Sequence, residues 1–367
     1  MMIAAEQILN WGDSLLYPLL FDPIYKSRIW GGERIGQIFD RQLPSNDIGE
    51  SWDVACHKNG TSLIANGPHK GRALDELIEE YGRRLMGTAL DEKDIEKFPL
   101  LIKILDASQL LSVQVHPGDE YAALHENGEL GKTEMWYIID AEPDAYLYYG
   151  VKPGVDADAF RAAIERGDVE PYLCALKVEE GDVLYIPSGM VHAIGSGIVI
   201  CEIQQNSDTT YRVFDWNRTD DEGNPRELHI DKALDVIDFE GRYPSEKVKG
   251  IRVDVDGGFK TYFVAGPYFA MEKLEIERGM DETAEGDKFY ILTIVSGQGS
   301  IDYDGGSQPF KAGDSIMIPA GLGEYTIRGG ATVLKSYIPD REKDIISVLE
   351  AKGYSRKDME AIAGLFD

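Results

Sequence analysis

Two twelve-residue segments of this 367-residue chain carry the same spacing. Gly181-Asp182, Pro187, Gly189 and His192 in the first fall at the offsets of Gly313-Asp314, Pro319, Gly321 and Glu324 in the second. Each copy places four mostly apolar residues between its Gly-Asp turn and its proline, which reads as turn, short buried strand, turn. Chance supplies a Gly-Asp turn easily, but not the whole pattern. A repeated strand-and-turn unit points to a duplicated β-barrel. The histidine present in one copy and replaced by Glu324 in the other points to one working barrel and one degenerate one.

The rest of the chain agrees with a mainly β fold carrying helical insertions. Runs over 98–105, 110–115, 289–295, 299–303 and 315–318 are short, apolar and rich in branched residues, as strands are. Residues 73–95 read as a helical insert with Leu74, Leu77, Ile78 and Tyr81 on one face. A second insert covers 156–166, with Asp156 at its start and Gly167 just past its end. Residues 17–23 and Trp30-Gly31-Gly32 read as irregular or edge-strand chain, because proline and glycine punctuate them. The last stretch reads as one or two helices with Ile345, Val348 and Leu349 buried. The expected division is a catalytic unit over 1–245, a degenerate second barrel over 246–339 and a helical tail over 340–367.

Charge narrows the function. There are 37 basic and 65 acidic residues, for a net charge of −28. That excludes nucleic acid and anionic membrane as natural partners, since both need clustered positive charge. An anionic substrate would need a local basic pocket strong enough to override the global field. No stretch approaches the ~20 apolar residues that span a bilayer. The segment Met-Met-Ile-Ala-Ala-Glu at the start lacks a basic region followed by an apolar one, so no secretory signal is expected. Cys56, Cys174 and Cys201 are scattered, with no paired motif, which fits a reducing compartment and a cytoplasmic location.

The chemistry is concentrated near Leu111-Ser-Val-Gln114-Val-His116-Pro117. Gln114 and His116 lie two apart in a strand-like run, so they point to one face. Glu134 follows in Gly131-Lys132-Thr133-Glu134-Met135-Trp136, between a turn and an aromatic residue that is expected to be buried. With His192 these make two imidazoles, one carboxylate and one amide oxygen, a donor set for a divalent metal that keeps an open position.

The segment Gly181-x5-Pro187-x-Gly189-x2-His192 resembles the second signature of the cupin superfamily. In place of the usual first signature stands Gln114-x-His116, with Glu134 eighteen residues after His116. That departure, with Phe98-Pro-Leu-Leu-Ile-Lys-Ile-Leu-Asp-Ala, Gly-Lys-Thr-Glu-Met-Trp-Tyr and Tyr211-Arg212-Val-Phe-Asp215-Trp216, closely resembles the type I phosphomannose isomerases in their shorter bacterial form. The resemblance covers roughly 17–235 with specific motifs, and the last third only as a degenerate cupin. It implies interconversion of mannose 6-phosphate and fructose 6-phosphate by proton transfer through an enediol(ate). It also implies one Zn2+ per chain on His116, Glu134 and His192, with Gln114 as a fourth ligand, and matches Arg212 to the family's active-site arginine.

Arg212 would answer the charge problem by holding a phosphate or a developing oxyanion. Lys132, two residues from Glu134, is a candidate acid/base group, and Arg218 is close in sequence. Glu50 reads as structural, Trp136 and Trp216 as core or pocket wall, and His57, His69, His125 and His229 as ordinary surface or loop histidines. Other readings accommodate much of the same pattern: an isomerase of a related sugar phosphate, a non-catalytic sugar-binding cupin, or an iron cupin oxygenase. Arg212 and the helical inserts count against the oxygenase, and the intact donor set counts against a binder.

Overall fold

The computed structural model describes residues 16–219 and 223–367. The N-terminal segment read above for a secretory signal lies outside them. The architecture is mainly β, in antiparallel sheets whose ladders do not close into a ring among the described residues. No helix there is long and apolar enough to cross a membrane.

Three layers position the site. The central one is a six-stranded sheet in the order Val183–Ile186, Glu134–Ala141, Ile198–Gln205, Leu100–Ala107, Ile48–Val54, Ile24–Gly32. Its inner strands are buried on both faces, so they read as unbroken apolar runs rather than alternating ones. The period of two still sorts the side chains. Met135, Tyr137, Ile102, Ile104, Cys201 and Ile203 pack on one side with Phe289, Ile291 and Met317 from the last third of the chain. Trp136, Ile138, Leu105, Ile198 and Ile200 point the other way, where Leu147 and Tyr149 of a second sheet meet them.

That second sheet has five strands: Leu173–Lys177, Tyr146–Val151, His192–Ala193, Val113–Val115 and Tyr211–Phe214. Its outer residues Val113, Val115, Ala193 and Val213 are covered by Phe160, Ala163 and Ala233 from the helices Ala157–Arg166 and Ile230–Val236. The first of these helices matches its expected bounds. The Asp156 side chain accepts from the Ala159 amide, and Gly167 closes the helix in the left-handed region at φ 71°.

The third layer is an eleven-stranded sheet built mainly from 251–337. The repeat seen in sequence is a repeat in structure. Ile138 donates to Asp182 and accepts from Gly181, both at 2.9 Å, and Ile294 does the same with Asp314 and Gly313 at 2.8 Å. The Asp182 carboxylate accepts from the Glu179 amide, and that of Asp314 from the Lys311 amide.

Several expectations need correction. The insert expected as one helix over 73–95 is three short ones, Leu74–Tyr81, Arg83–Met86 and Glu92–Glu96, because Gly82 and Gly87 take positive φ between and after the first two. The strands expected over 289–295 and 299–303 are one fourteen-residue strand, Tyr290–Tyr303. Trp30-Gly31-Gly32 is edge strand, one of the two forms expected of it, whereas Leu19–Asp22 is no edge and pairs on both sides. A Cβ at Gly31 would lie 2.3 Å from the Asp47 carbonyl oxygen, so this glycine marks a close backbone approach and not a break. The tail forms Arg341–Ile346, Ser347–Ala351 and Arg356–Met359.

Candidate active site

Strand register brings the site together. In the five-stranded sheet Gln114 lies opposite His192 on one side and opposite Arg212 on the other. In the six-stranded sheet Glu134 begins its strand opposite Ile186 and Gln204. The two sheets face each other, so His116, Glu134 and His192 converge between them with one ligand atom each, all within 4.8 Å. All three are buried. The Gln114 amide stands 3.4 Å from His192 Nε2.

The donor set is arranged to receive a cation. His116 Nδ1 donates to the Thr209 carbonyl and His192 Nδ1 to the Met190 carbonyl, each at 2.9 Å. Those bonds fix the tautomers, leaving both Nε2 lone pairs facing inward. Burial, with Lys132 adding to it, pushes His116 well below its ordinary value and His192 down to about 4, so both rings are neutral. Glu134 Oε1 is buried with no hydrogen-bond partner among the described residues, 3.4 Å from His192 Nε2. Two acceptors facing each other repel, and a metal ion between them removes the conflict.

Next to this cluster lies a cavity of about 480 Å³, lined by Arg28, Glu50, Lys103, Gln114, Lys132, Glu202, Asp208, Arg212 and Arg226 among others. Lys132 Nζ donates to Glu134 Oε2, lies 3.2 Å from His116 Nε2, and is 3.8 Å from Glu202. Burial dominates its shift, and Lys103 adds to it, lowering Lys132 to about 8 against the pull of Glu202. Lys103 reaches Glu202 Oε1 at 3.3 Å, and Trp136 Nε1 donates to the other Glu202 oxygen at 3.1 Å. Glu50 accepts from Arg28 Nε and Trp52 Nε1, both at 2.7 Å. Burial opposes the Glu50 charge, but Lys103 and Arg28 outweigh it and hold the carboxyl at about 2.

The residues singled out from sequence, Gln114, His116, Lys132, Glu134, His192 and Arg212, therefore stand around one cavity and the cluster at its floor. Arg218 faces a neighbouring cleft, bonded to Asp215 and the Leu110 carbonyl. Lys103, Glu202, Asp208, Arg28 and Arg226 were missed. For Lys103 and Glu202 a signal existed: each is a lone charge inside an otherwise apolar run, in Leu-Leu-Ile-Lys-Ile-Leu and Ile-Val-Ile-Cys-Glu-Ile, where an ion needs a partner or a purpose. The two are direct partners in register. Of the histidines read as surface or loop residues, His57 and His69 are buried. His69 stacks on Tyr17, its ring centroid 5.6 Å from that of the tyrosine.

Comparison with known proteins places this geometry. Residues 19–153 match the model of the phosphomannose isomerase type I catalytic domain, and 259–338 that of the mannose-6-phosphate isomerase cupin domain. The chain is 43% identical to mannose-6-phosphate isomerase ManA of Bacillus subtilis, over 88% of this chain and 99% of that one. The chain belongs to the type I phosphomannose isomerase family. The mannose-6-phosphate isomerase of Streptococcus mutans is 38% identical over 87% of this chain and 98% of its own length. The crystal structure of the Bacillus subtilis mannose 6-phosphate isomerase superposes with a TM-score of 0.81 at 37% identity, covering 88% of this chain and 99% of that one. The chain is thus an enzyme of an isomerase family with a cupin fold.

Proposed function

We propose that the protein interconverts mannose 6-phosphate and fructose 6-phosphate, with one zinc ion on His116, Glu134, His192 and Gln114. The observation that carries this reading is the buried His116–Glu134–His192 cluster at the floor of a cation-rich cavity, in a chain of net charge −28. When bound, the metal supplies a Lewis-acid centre that orients and polarises sugar oxygens. The rest of the work falls to side chains. An aldose–ketose exchange moves a proton between C1 and C2, and Lys132 Nζ, lowered to about 8, can give or take a proton near neutral pH. Glu202 holds Lys103 and Lys132 by ion pairs and keeps both ammonium groups aimed at the floor. Arg212 adds a permanent positive charge on the Gln114 side.

Membership of an isomerase family separates this reading from a binding protein and from an oxygenase. The division at 245/246 with a tail from 340 belongs to the same proposal. So does a cytoplasmic location, which the free cysteines Cys56, Cys174 and Cys201 support. The test is a coupled assay for fructose 6-phosphate formed from mannose 6-phosphate, on metal-replete, chelated and zinc-restored protein. Activity that chelation abolishes and zinc restores is expected. A zinc-replete sample without turnover would overturn the reading.

A further inference from the structure

The cavity has a floor and a mouth. At the floor the Lys103 and Lys132 side chains are 5% exposed, whereas Arg28 and Arg226 are 34% and 25% exposed. Ser27, Arg28 and Ile29 also line the open cleft next door, which places them at the rim. The cavity lining holds five cations (Arg28, Lys103, Lys132, Arg212, Arg226) against three carboxylates (Glu50, Glu202, Asp208). At the floor Lys103 and Lys132 pair with Glu202, and toward the mouth the lining carries Arg28, Arg212 and Arg226.

The two rim arginines are braced from behind. Arg226 Nε and Nη2 donate to Asp215 Oδ2 and Oδ1 at 2.7 and 2.6 Å, a two-pronged pair that among the described residues leaves Nη1 unused. Arg218 donates to the same Asp215 oxygen at 2.5 Å, so one carboxylate holds two guanidinium groups. Arg28 Nε donates to Glu50 and Nη1 to the Ser27 carbonyl, and neither bond uses Nη2. Arg212, between rim and floor, has a buried Nε with no hydrogen-bond partner among the described residues. Burial and then repulsion from Arg226 disfavour its charge. Like charges gathered with fewer acceptors than they can use are a standing demand for an anion.

Resting on the sugar-phosphate reading above, we propose that Arg226, braced by Asp215, and Arg28, braced by Glu50, grip the phosphate of the substrate at the mouth of the cavity. The opposite end of the molecule then meets Lys132 and the metal ligands at the floor. A phosphate monoester dianion has the planar sets of acceptor oxygens that guanidinium edges match. The bracing carboxylates hold those edges still before the anion arrives. Neither arginine takes part in moving the proton, so both act on binding and orientation.

The test compares metal-loaded wild type with Arg226→Ala, Arg226→Lys, Arg28→Ala and Asp215→Asn. Two readouts are used: steady-state turnover of mannose 6-phosphate, and calorimetric titration with inorganic phosphate. Arg226→Ala and Arg28→Ala are each expected to raise KM about 10- to 100-fold with kcat changed far less, as loss of a charged hydrogen bond does. Both should weaken inorganic phosphate binding in parallel. Arg226→Lys should recover part of the loss, and Asp215→Asn should show a smaller rise in KM. Unchanged KM and phosphate affinity in both alanine variants would overturn the proposal, as would a fall confined to kcat. If wild type binds phosphate but does not isomerise mannose 6-phosphate, the functional reading fails while the phosphate titration still decides the roles of Arg226 and Arg28.

Discussion

At the scale of single residues, the site is a chain of alternating charge. Arg28, Glu50, Lys103, Glu202, Lys132 and Glu134 follow one another from rim to floor, Glu50 and Glu202 each between two cations. Removing a link should act on its neighbours. His192→Ala is expected to lose metal and to lower kcat by about a hundredfold or more, read by metal analysis beside turnover. Lys132→Met should retain metal yet lower kcat by roughly 10²- to 10⁴-fold, the range of a lost acid/base group; near-normal kcat would remove Lys132 from the proton path. The cluster itself was legible in the sequence because its ligands sit in short motifs with fixed spacing. Lys103 and Glu202 stood out only as lone charges in apolar runs, and their pairing was not legible, because they come from separate strands and meet only through register. Arg28 and Arg226 join through loops and edges whose course no local pattern announces.

At the scale of elements, glycine was the main source of misreading. Gly297 and Gly299 look like a break between two strands, yet the strand Tyr290–Tyr303 runs through them. The ladder with Ala331–Tyr337 shifts register between Ile294 and Ser296, and Gly297, at φ +86°, pairs with Ala331 just beyond that bulge, so the strand continues. The insert at 156–166 was legible to the residue, since an aspartate cap and a glycine stop are local signals. That helix covers the back of the strands carrying Gln114 and His192 without lining the cavity. Asp156→Ala should therefore destabilise the protein by about 1 kcal/mol through the lost cap. Thermal unfolding would register the change while KM and kcat stay as in wild type.

At the scale of the whole molecule, the last third is no passive appendage. Its strands supply the other half of the core behind the catalytic sheet, with Met317 and Phe289 against Ile104 and Met135. Met317→Ala should then cost about 2–5 kcal/mol, with activity and far-ultraviolet ellipticity lost together in urea. Separate transitions would show two independent units. Acid should weaken the same half. Glu282 stands 2.5 Å from both Lys260 and Lys335. Burial opposes its charge, but Lys335 and Lys260 outweigh burial and hold it at about 2, below an ordinary 4.5. A depressed carboxyl contributes fully above the ordinary value and loses its contribution as pH falls toward the depressed one. The urea midpoint should thus drop between pH 5 and about 2, and Glu282→Gln should flatten that drop. The strand Leu19–Asp22 carries a consequence for synthesis. It pairs with Ser315–Ile318, nearly three hundred residues later, and the next strand, Ile24–Gly32, edges the catalytic sheet. On the ribosome, this strand must wait until Ser315–Ile318 has emerged before it finds this neighbour, so a long stretch of chain leaves the tunnel while its edge stands unpaired on that side.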